Sequence, residues 1–156
     1  MSVVGADFAN YYAGLPESEF KNGEGCGRCI RFSYGGKCRQ AQVVNKCYSC
    51  QPGQIGVSGQ LVNFFGIKGW PLPKVDWEFV ACDSNVSGNI RMDTGRSLNE
   101  YWQEVSFSNL RKGIKAVSIA GTPLSRSTYG TWVWDKDTPH AINAQLALRL
   151  EADDGQ

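Results

Sequence analysis

Two cysteine pairs carry the first chemical signal in this chain of 156 residues. Cys26-x2-Cys29 and Cys47-x2-Cys50 are separated by seventeen residues. Four thiolates at that spacing can close a tetrahedron around zinc. Cys38 and Cys82 weigh against the metal: both sit on or beside predicted strands, and a zinc site would leave them over. Six cysteines are better used as three disulfides in an oxidised, secreted chain. No metal and no cofactor is therefore expected. The start of the chain sits awkwardly with secretion, because Met1 runs into SVVGADFANYYAG without a basic segment or an apolar core. Either the chain is a fragment or mature form, or its thiols are reduced and serve another purpose.

Acid–base and nucleophilic chemistry have weaker support. His140 is the only histidine, placed in a turn beside Pro139, where a solvated ring is expected rather than a catalyst. No Gly-x-Ser-x-Gly elbow is present. Glycoside hydrolysis needs two carboxylates facing across a groove. The first half offers Asp7, Glu17, Glu19, Glu24, Asp76, Glu78 and Asp83, most of them in turns, in a leading helix or on the strand before Cys82, where solvation is expected. Aromatic residues form a third group. Tyr101 and Trp102 are adjacent, and Tyr129, Trp132 and Trp134 follow about thirty residues on. Neighbours on a strand point to opposite faces, so one of Tyr101 and Trp102 should be inside unless a bulge or strand end turns both outward. All five rings can fill a core, or some can form a flat exposed row suited to stacking on sugar faces.

The elements that must hold these groups are mostly strands. Apolar residues make up 42% of the chain, enough for a packed core, and 18 glycines with strand-forming aromatics point to an all-β protein. Residues 7–13 and then PESEF from Pro16 read as short helical segments. Ile30–Tyr34 alternates as a half-buried strand, Gly35-Gly36 marks a two-residue hairpin, and Ala41–Val44 is the partner strand. Ser58 is a plausible N-cap for a short helix whose apolar face is Leu61, Val62, Phe64 and Phe65. Val75–Val80 alternates again and runs into Cys82. Residues 83–88 form the best linker. Beyond it come strands at 90–93, 102–107, 114–119, 132–134 and 145–150, with turns at 109–113, 121–128 and 135–139, a spacing that fits a β-sandwich. The net charge is +1, with no basic face or acidic tail, so nucleic acid and anionic membranes are poor partners. No apolar run is long enough to span a bilayer.

Taken in order, GCGRC, the hairpin, VVNKCYSC, the short helix from Ser58 and VDWEFVAC resemble the first domain of expansins, a six-stranded double-psi β-barrel. GNIRMDTGRSLNEYWQEVSFSNLRKGIKAVSI resembles the start of the second expansin domain, an immunoglobulin-like sandwich that binds cellulose, and ALRLEADDG resembles one of its later strands. The resemblance covers nearly the whole chain. It implies an all-β protein: a double-psi β-barrel with short helices over residues 1–84, lacking its first strand, and an immunoglobulin-like β-sandwich over 85–156, lacking its last. It implies a monomeric, extracellular, non-enzymatic protein that binds cellulose or a related plant or fungal wall glucan.

Tyr101, Trp102 and Tyr129 fall on the paired aromatics and third ring of the family's binding surface, whereas Trp132 and Trp134 match core positions. Cys29 and Cys82 match a barrel disulfide of the plant members. The usual partner of Cys26 would precede Met1, which leaves Cys26, Cys38, Cys47 and Cys50 to pair among themselves in an order the sequence leaves open. Two family aspartates are replaced, one by Asn45 and the other, on which wall loosening depends, by Gly56. Neither replacement can act as acid, base or charged acceptor, so no catalytic residue is expected and loosening should be weak or absent. The alternatives are a protein-interaction or effector scaffold on a stapled barrel and, further off, an endoglucanase-like hydrolase.

Overall fold

The computed structural model describes residues 11–69, 74–82, 86–95, 99–135 and 145–156. Their regular structure is mostly strand, joined by turns and irregular segments, with two short helices among them. His140, Asp7 and Asp83 lie outside the described residues, as do half of the linker expected at 83–88 and most of the turn at 135–139.

The first sheet grows from one hairpin. Strands β2 (Cys29–Tyr34) and β3 (Lys37–Lys46) pair in register from Cys29↔Gln42 to Tyr34↔Lys37. Gly35 and Gly36 make the connection, both at positive φ (58° and 75°), as a tight turn matched to strand twist requires. The flanking elements complete the order β4-β1-β3-β2-β5, where β1 is Tyr12–Leu15, β4 is Gly56–Val57 and β5 is Asp76–Val80. The expected helix over 7–13 is not found in its described part. Residues from Tyr12 onward form β1, which pairs parallel with β3 and antiparallel with β4. Two-residue alternation buries Ala13 and Leu15 completely, and a helix there would leave the polar backbone of β3 without this partner.

Helix α1 (Glu17–Phe20) follows Pro16, and Phe20 enters the core. Helix α2 (Gly59–Phe65) starts after Ser58 and directs Leu61 and Phe65 inward. With Ile30, Phe32, Val43 and Ile55, these side chains form one core. The Cys29–Cys82 disulfide joins the start of β2 to the segment just past β5 over a separation of 53 residues. Closing a loop of that length removes about 4 kcal/mol of chain entropy from the unfolded state; a four-residue closure removes about 2.

A second group of strands follows: β6 (Arg91–Asp93), β7 (Trp102–Ser108), β8 (Ile114–Ile119), β9 (Thr122–Pro123), β10 (Ser125–Arg126), β11 (Trp132–Asp135) and β12 (Leu148–Ala152). They form a four-stranded sheet, β10-β11-β7-β6, and a three-stranded sheet, β12-β8-β9. Two elements differ from expectation. The segment read as a turn at 121–128 contains the short strands β9 and β10, and the last strand begins at Leu148, where its register with β8 starts. A separate core fills this part: Val105, Phe107, Val117, Ile119, Leu124, Trp132 and Trp134 are buried together.

The two groups of strands touch through backbone. A Cβ added at Gly23 would lie 2.6 Å from the Gly130 nitrogen and from the Ser127 carbonyl oxygen. One added at Gly130, where φ is +86°, would lie 2.2 Å from Cys26 Cβ. Around this glycine contact, Arg28 pairs with Asp153 at 3.0 Å, Arg126 donates to the Gly23 carbonyl at 3.4 Å, and Cys82 N–H donates to the Arg111 carbonyl at 2.8 Å. Gly130→Ala should therefore destabilise the protein by at least about 2 kcal/mol, through both its strained φ and its overlap with Cys26. In a thermal melt the expected loss is about 5 °C or more, and an unchanged midpoint would refute the close approach.

Candidate functional site

Strand β7 sets out the aromatic residues by simple alternation. Val105 and Phe107 point into the second core, so Trp102 and Glu104 belong to the opposite face. The β11 register agrees: Trp132 pairs with Val105 and Trp134 with Gln103, and both tryptophans are about 5% exposed, whereas Val133 pairs with Glu104 and Asp135 with Trp102. Tyr101 precedes the strand and escapes its alternation. The Asn99 side-chain oxygen accepts the Tyr101 N–H at 2.9 Å and the Trp102 N–H at 2.6 Å, an Asx turn that fixes how the chain enters β7. Tyr101 is 48% exposed and Trp102 is half-buried.

Tyr129 is 68% exposed and rides on the loop between β10 and β11. The Ser127 hydroxyl organises that loop by accepting the N–H groups of Tyr129 and Thr131, each at 3.2 Å, and sharing a hydrogen bond with the Thr131 hydroxyl at 2.6 Å. The Thr131 hydroxyl in turn donates to the Glu104 carboxylate. This chain of bonds attaches the Tyr129 loop to the sheet face that carries Trp102.

Across the glycine contact, just past the end of β3, stands another exposed ring. Tyr48 is 75% exposed, and Lys46 Nζ lies 4.8 Å from its ring centroid and 2.5 Å from a Glu17 carboxylate oxygen. The bond to Glu17 raises the Lys46 pKa against the opposing effect of desolvation, and the Tyr48 and Tyr129 phenols act in the same direction as Glu17. One ammonium group thus lies within electrostatic reach of a ring from each side of the seam.

Asn45 and Gly56 flank the same residue. Gly14 on β1 pairs with Asn45 of β3 on one side and with Gly56 of β4 on the other, which sets the two positions in one row, roughly 10 Å apart at normal strand spacing. Asn45 is exposed, and its side-chain oxygen accepts the Lys46 N–H at 2.8 Å. A Cβ added at Gly56 would meet Cys47 Sγ at 3.5 Å and Gly14 O at 3.8 Å, both ordinary contacts. Three carboxylates of the first half are committed to other partners. Glu17 pairs with Lys46, Glu78 pairs with Arg31 at 2.5 Å, and Glu19 accepts the Gly53 N–H at 3.1 Å. Glu19 departs from the solvated state expected of it, since its second carboxylate oxygen is buried without a hydrogen-bond partner.

The cysteines differ from expectation in part. Cys29 is bonded to Cys82 and Cys47 to Cys50, while Cys26 and Cys38 are free, so the four are not all paired among themselves. Cys38 and Cys47 stand near the two ends of β3, nine residues apart in sequence, roughly 30 Å along an extended strand and far beyond disulfide reach. Cys26 lies against Gly130 at the seam, where burial pushes its thiol up to about 11. Three of the four sulfurs of the zinc spacing are thus held in disulfides, and no group of three or more metal-ligating side chains occurs among the described residues. No helix among them is long and apolar enough to cross a membrane.

Sequence reasoning singled out Tyr101, Trp102 and Tyr129 but missed Asn99, the Ser127–Thr131–Glu104 tether and Tyr48. An asparagine two residues ahead of an aromatic pair was a readable turn signal. Tyr48 was hidden inside a motif read only for its cysteines.

No family model matches the chain. Expansin-like protein 1 of Dictyostelium discoideum is 23% identical over 94% of this chain and 54% of its own length. Expansin-like protein 9 of the same organism is 27% identical over 92% of this chain and 30% of its own length. The chain thus spans about half, or less than a third, of these relatives. Two solved structures of Clavibacter michiganensis expansin each superpose on 97% of the chain and are covered by it over 73% of theirs. An aspartate-to-asparagine mutant in complex with cellohexaose gives a TM-score of 0.81 at 20% identity, and the apo protein gives 0.73 at 22%. The chain is thus similar in sequence to expansin-like proteins and shares its fold with a bacterial expansin.

Proposed function

We propose that this chain is a non-hydrolytic, expansin-like protein that binds a cellulose-like wall polysaccharide outside the cell, with Tyr101, Trp102 and Tyr129 as its stacking surface. The observation that carries this reading is the tether from Ser127 through Thr131 to Glu104, which seats the Tyr129 loop on the sheet face of Trp102. Residues 1–84 would form the double-psi barrel and residues 85–156 the immunoglobulin-like sandwich, with the face around Tyr48 extending the surface across the seam. The cellohexaose held by the bacterial expansin supports a β-glucan as ligand, and the two disulfides fit an oxidising, extracellular setting.

Stacked rings add affinity in small increments. At about 1 kcal/mol each, removing two should weaken binding roughly 30-fold. Tyr101→Ala combined with Trp102→Ala should abolish pull-down on cellulose while leaving the melting midpoint near that of the parent; retained pull-down would sink the stacking surface.

Asn45 and Gly56 supply no carboxylate, so the protein should extend an isolated wall strip weakly or not at all in a creep assay. Robust creep would refute the idea that Gly56 disables loosening. Gly56→Asp has room for its Cβ and should change stability by no more than about 0.5 kcal/mol. Paired with Asn45→Asp, it should raise creep above the parent's. Creep that stays flat in a folded double variant would show that the missing carboxylates are not what limits this chain.

A further inference from the structure

Two disulfides of unlike setting stand in this chain. Cys29–Cys82 is buried and spans 53 positions; Cys47–Cys50 is half-exposed and spans three. Thiol–disulfide exchange requires an incoming thiolate to reach a sulfur, so accessibility favours attack at Cys47–Cys50. A short closure also contributes less to global stability than a long one, which allows this bond to open while the fold persists.

The bond closes an arch whose two inner residues, Tyr48 and Ser49, are both exposed. The first foot of the arch is fixed independently, since Cys47 N–H donates to the Leu15 carbonyl at 2.7 Å. The second foot rests on a longer backbone bond, from Cys50 N–H to the Cys47 carbonyl at 3.3 Å, and on the disulfide itself. Lys46, salt-bridged to Glu17, meets the Tyr48 ring from one side. Cys47 Sγ also lies beside Gly56, so the arch borders the Asn45–Gly14–Gly56 row directly.

We propose that Cys47–Cys50 is a redox clasp on the binding surface. Oxidised, it holds Tyr48 over Lys46 and towards the Tyr129 side of the seam; a dithiol reductant opens it, releases Tyr48 and weakens the grip on a glucan chain. This rests on the reading of the face as a polysaccharide surface. In the exchange, a thiolate of the dithiol attacks one cysteine sulfur, the Sγ–Sγ bond breaks, and the other cysteine leaves as a thiolate that takes up a proton. The second thiol of the reductant then displaces the first cysteine from the mixed disulfide. Two electrons have passed to the cysteine pair, and the reductant has closed into a cyclic disulfide. Cys26 does not compete as a nucleophile, because burial keeps its thiol protonated.

The test uses the full chain with exposed Cys38 first blocked by iodoacetamide. Cellohexaose binding is measured by calorimetry before and after graded dithiothreitol, and opened cysteines are trapped by alkylation and located by peptide mass. Cys47 and Cys50 should be trapped while Cys29–Cys82 is intact. Affinity should fall about fivefold, the worth of one stacked ring, and return on reoxidation. Cys47→Ser with Cys50→Ser should bind like the reduced protein and ignore the reductant. Simultaneous opening of both disulfides, unchanged affinity with the clasp open, or a double variant that binds like the oxidised parent would overturn the proposal. Oxidised protein that binds no cellohexaose overturns the polysaccharide reading itself, and is seen before any reductant is added.

Discussion

The backbone contact between Gly23 and Gly130 is the constraint on which the rest of the arrangement depends. Side chains are absent from both residues, and neither position tolerates one: φ is positive at each, and the nearest atoms are backbone or the Cβ of Cys26. Close approach here draws the β10–β11 loop onto the segment that leads into β2. Tyr129 sits beside Gly130, so the contact also decides where that ring lies relative to Lys46 and Tyr48. Longer-range ties such as Arg28–Asp153 reinforce the contact, but a partly exposed ion pair is worth little alone. Excluded volume fixes the seam, and electrostatics trims it.

How much of this was legible in the sequence depended on the range of the forces involved. The β2–β3 hairpin was readable because Gly35-Gly36 and the alternation on either side act within a few residues. The helix after Ser58 was readable for the same reason. Strand β1 was not. Its local pattern of small and aromatic residues fits helix or strand, and its conformation is settled by pairing with Gln42–Lys46, thirty positions on. The cysteines show the same limit. Spacing alone makes Cys47-x2-Cys50 half of a zinc motif, and only the length of β3 shows why Cys38 cannot reach it.

The aromatic residues divide along similar lines. The family resemblance correctly set Trp132 and Trp134 apart from the exposed rings, and the register with β7 gives the physical reason: they share a face with Val105. Alternation alone left Tyr101 and Trp102 unresolved. Asn99 resolves them by capping both N–H groups, so that β7 begins after Tyr101 rather than before it. Tyr129 needed more, because a loop tyrosine has no period to read. Its position follows from a hydroxyl relay that ends on a carboxylate two residues past Trp102. The relay is polar and partly buried, which makes it directional, and a purely apolar contact would leave the loop freer to rotate.

The row at Gly14 sets two uncharged positions, Asn45 and Gly56, side by side across one strand. Asn45 has the shape of an aspartate and still offers hydrogen bonds, but with its oxygen turned to the Lys46 N–H the amide presents donors where a carboxylate would accept. Gly56 leaves a space bordered by Cys47 Sγ. Such positions can hold neutral hydroxyl groups, and neither Asn45 nor Gly56 itself can move a proton. Under the proposed function, binding would sum many weak, uncharged contacts along a polymer and need no titratable group in this row. The proposed division of labour rests on that contrast: Tyr101, Trp102 and Tyr129 would hold the polysaccharide, and the stapled sheet with its Asn45 and Gly56 would support them from across the seam.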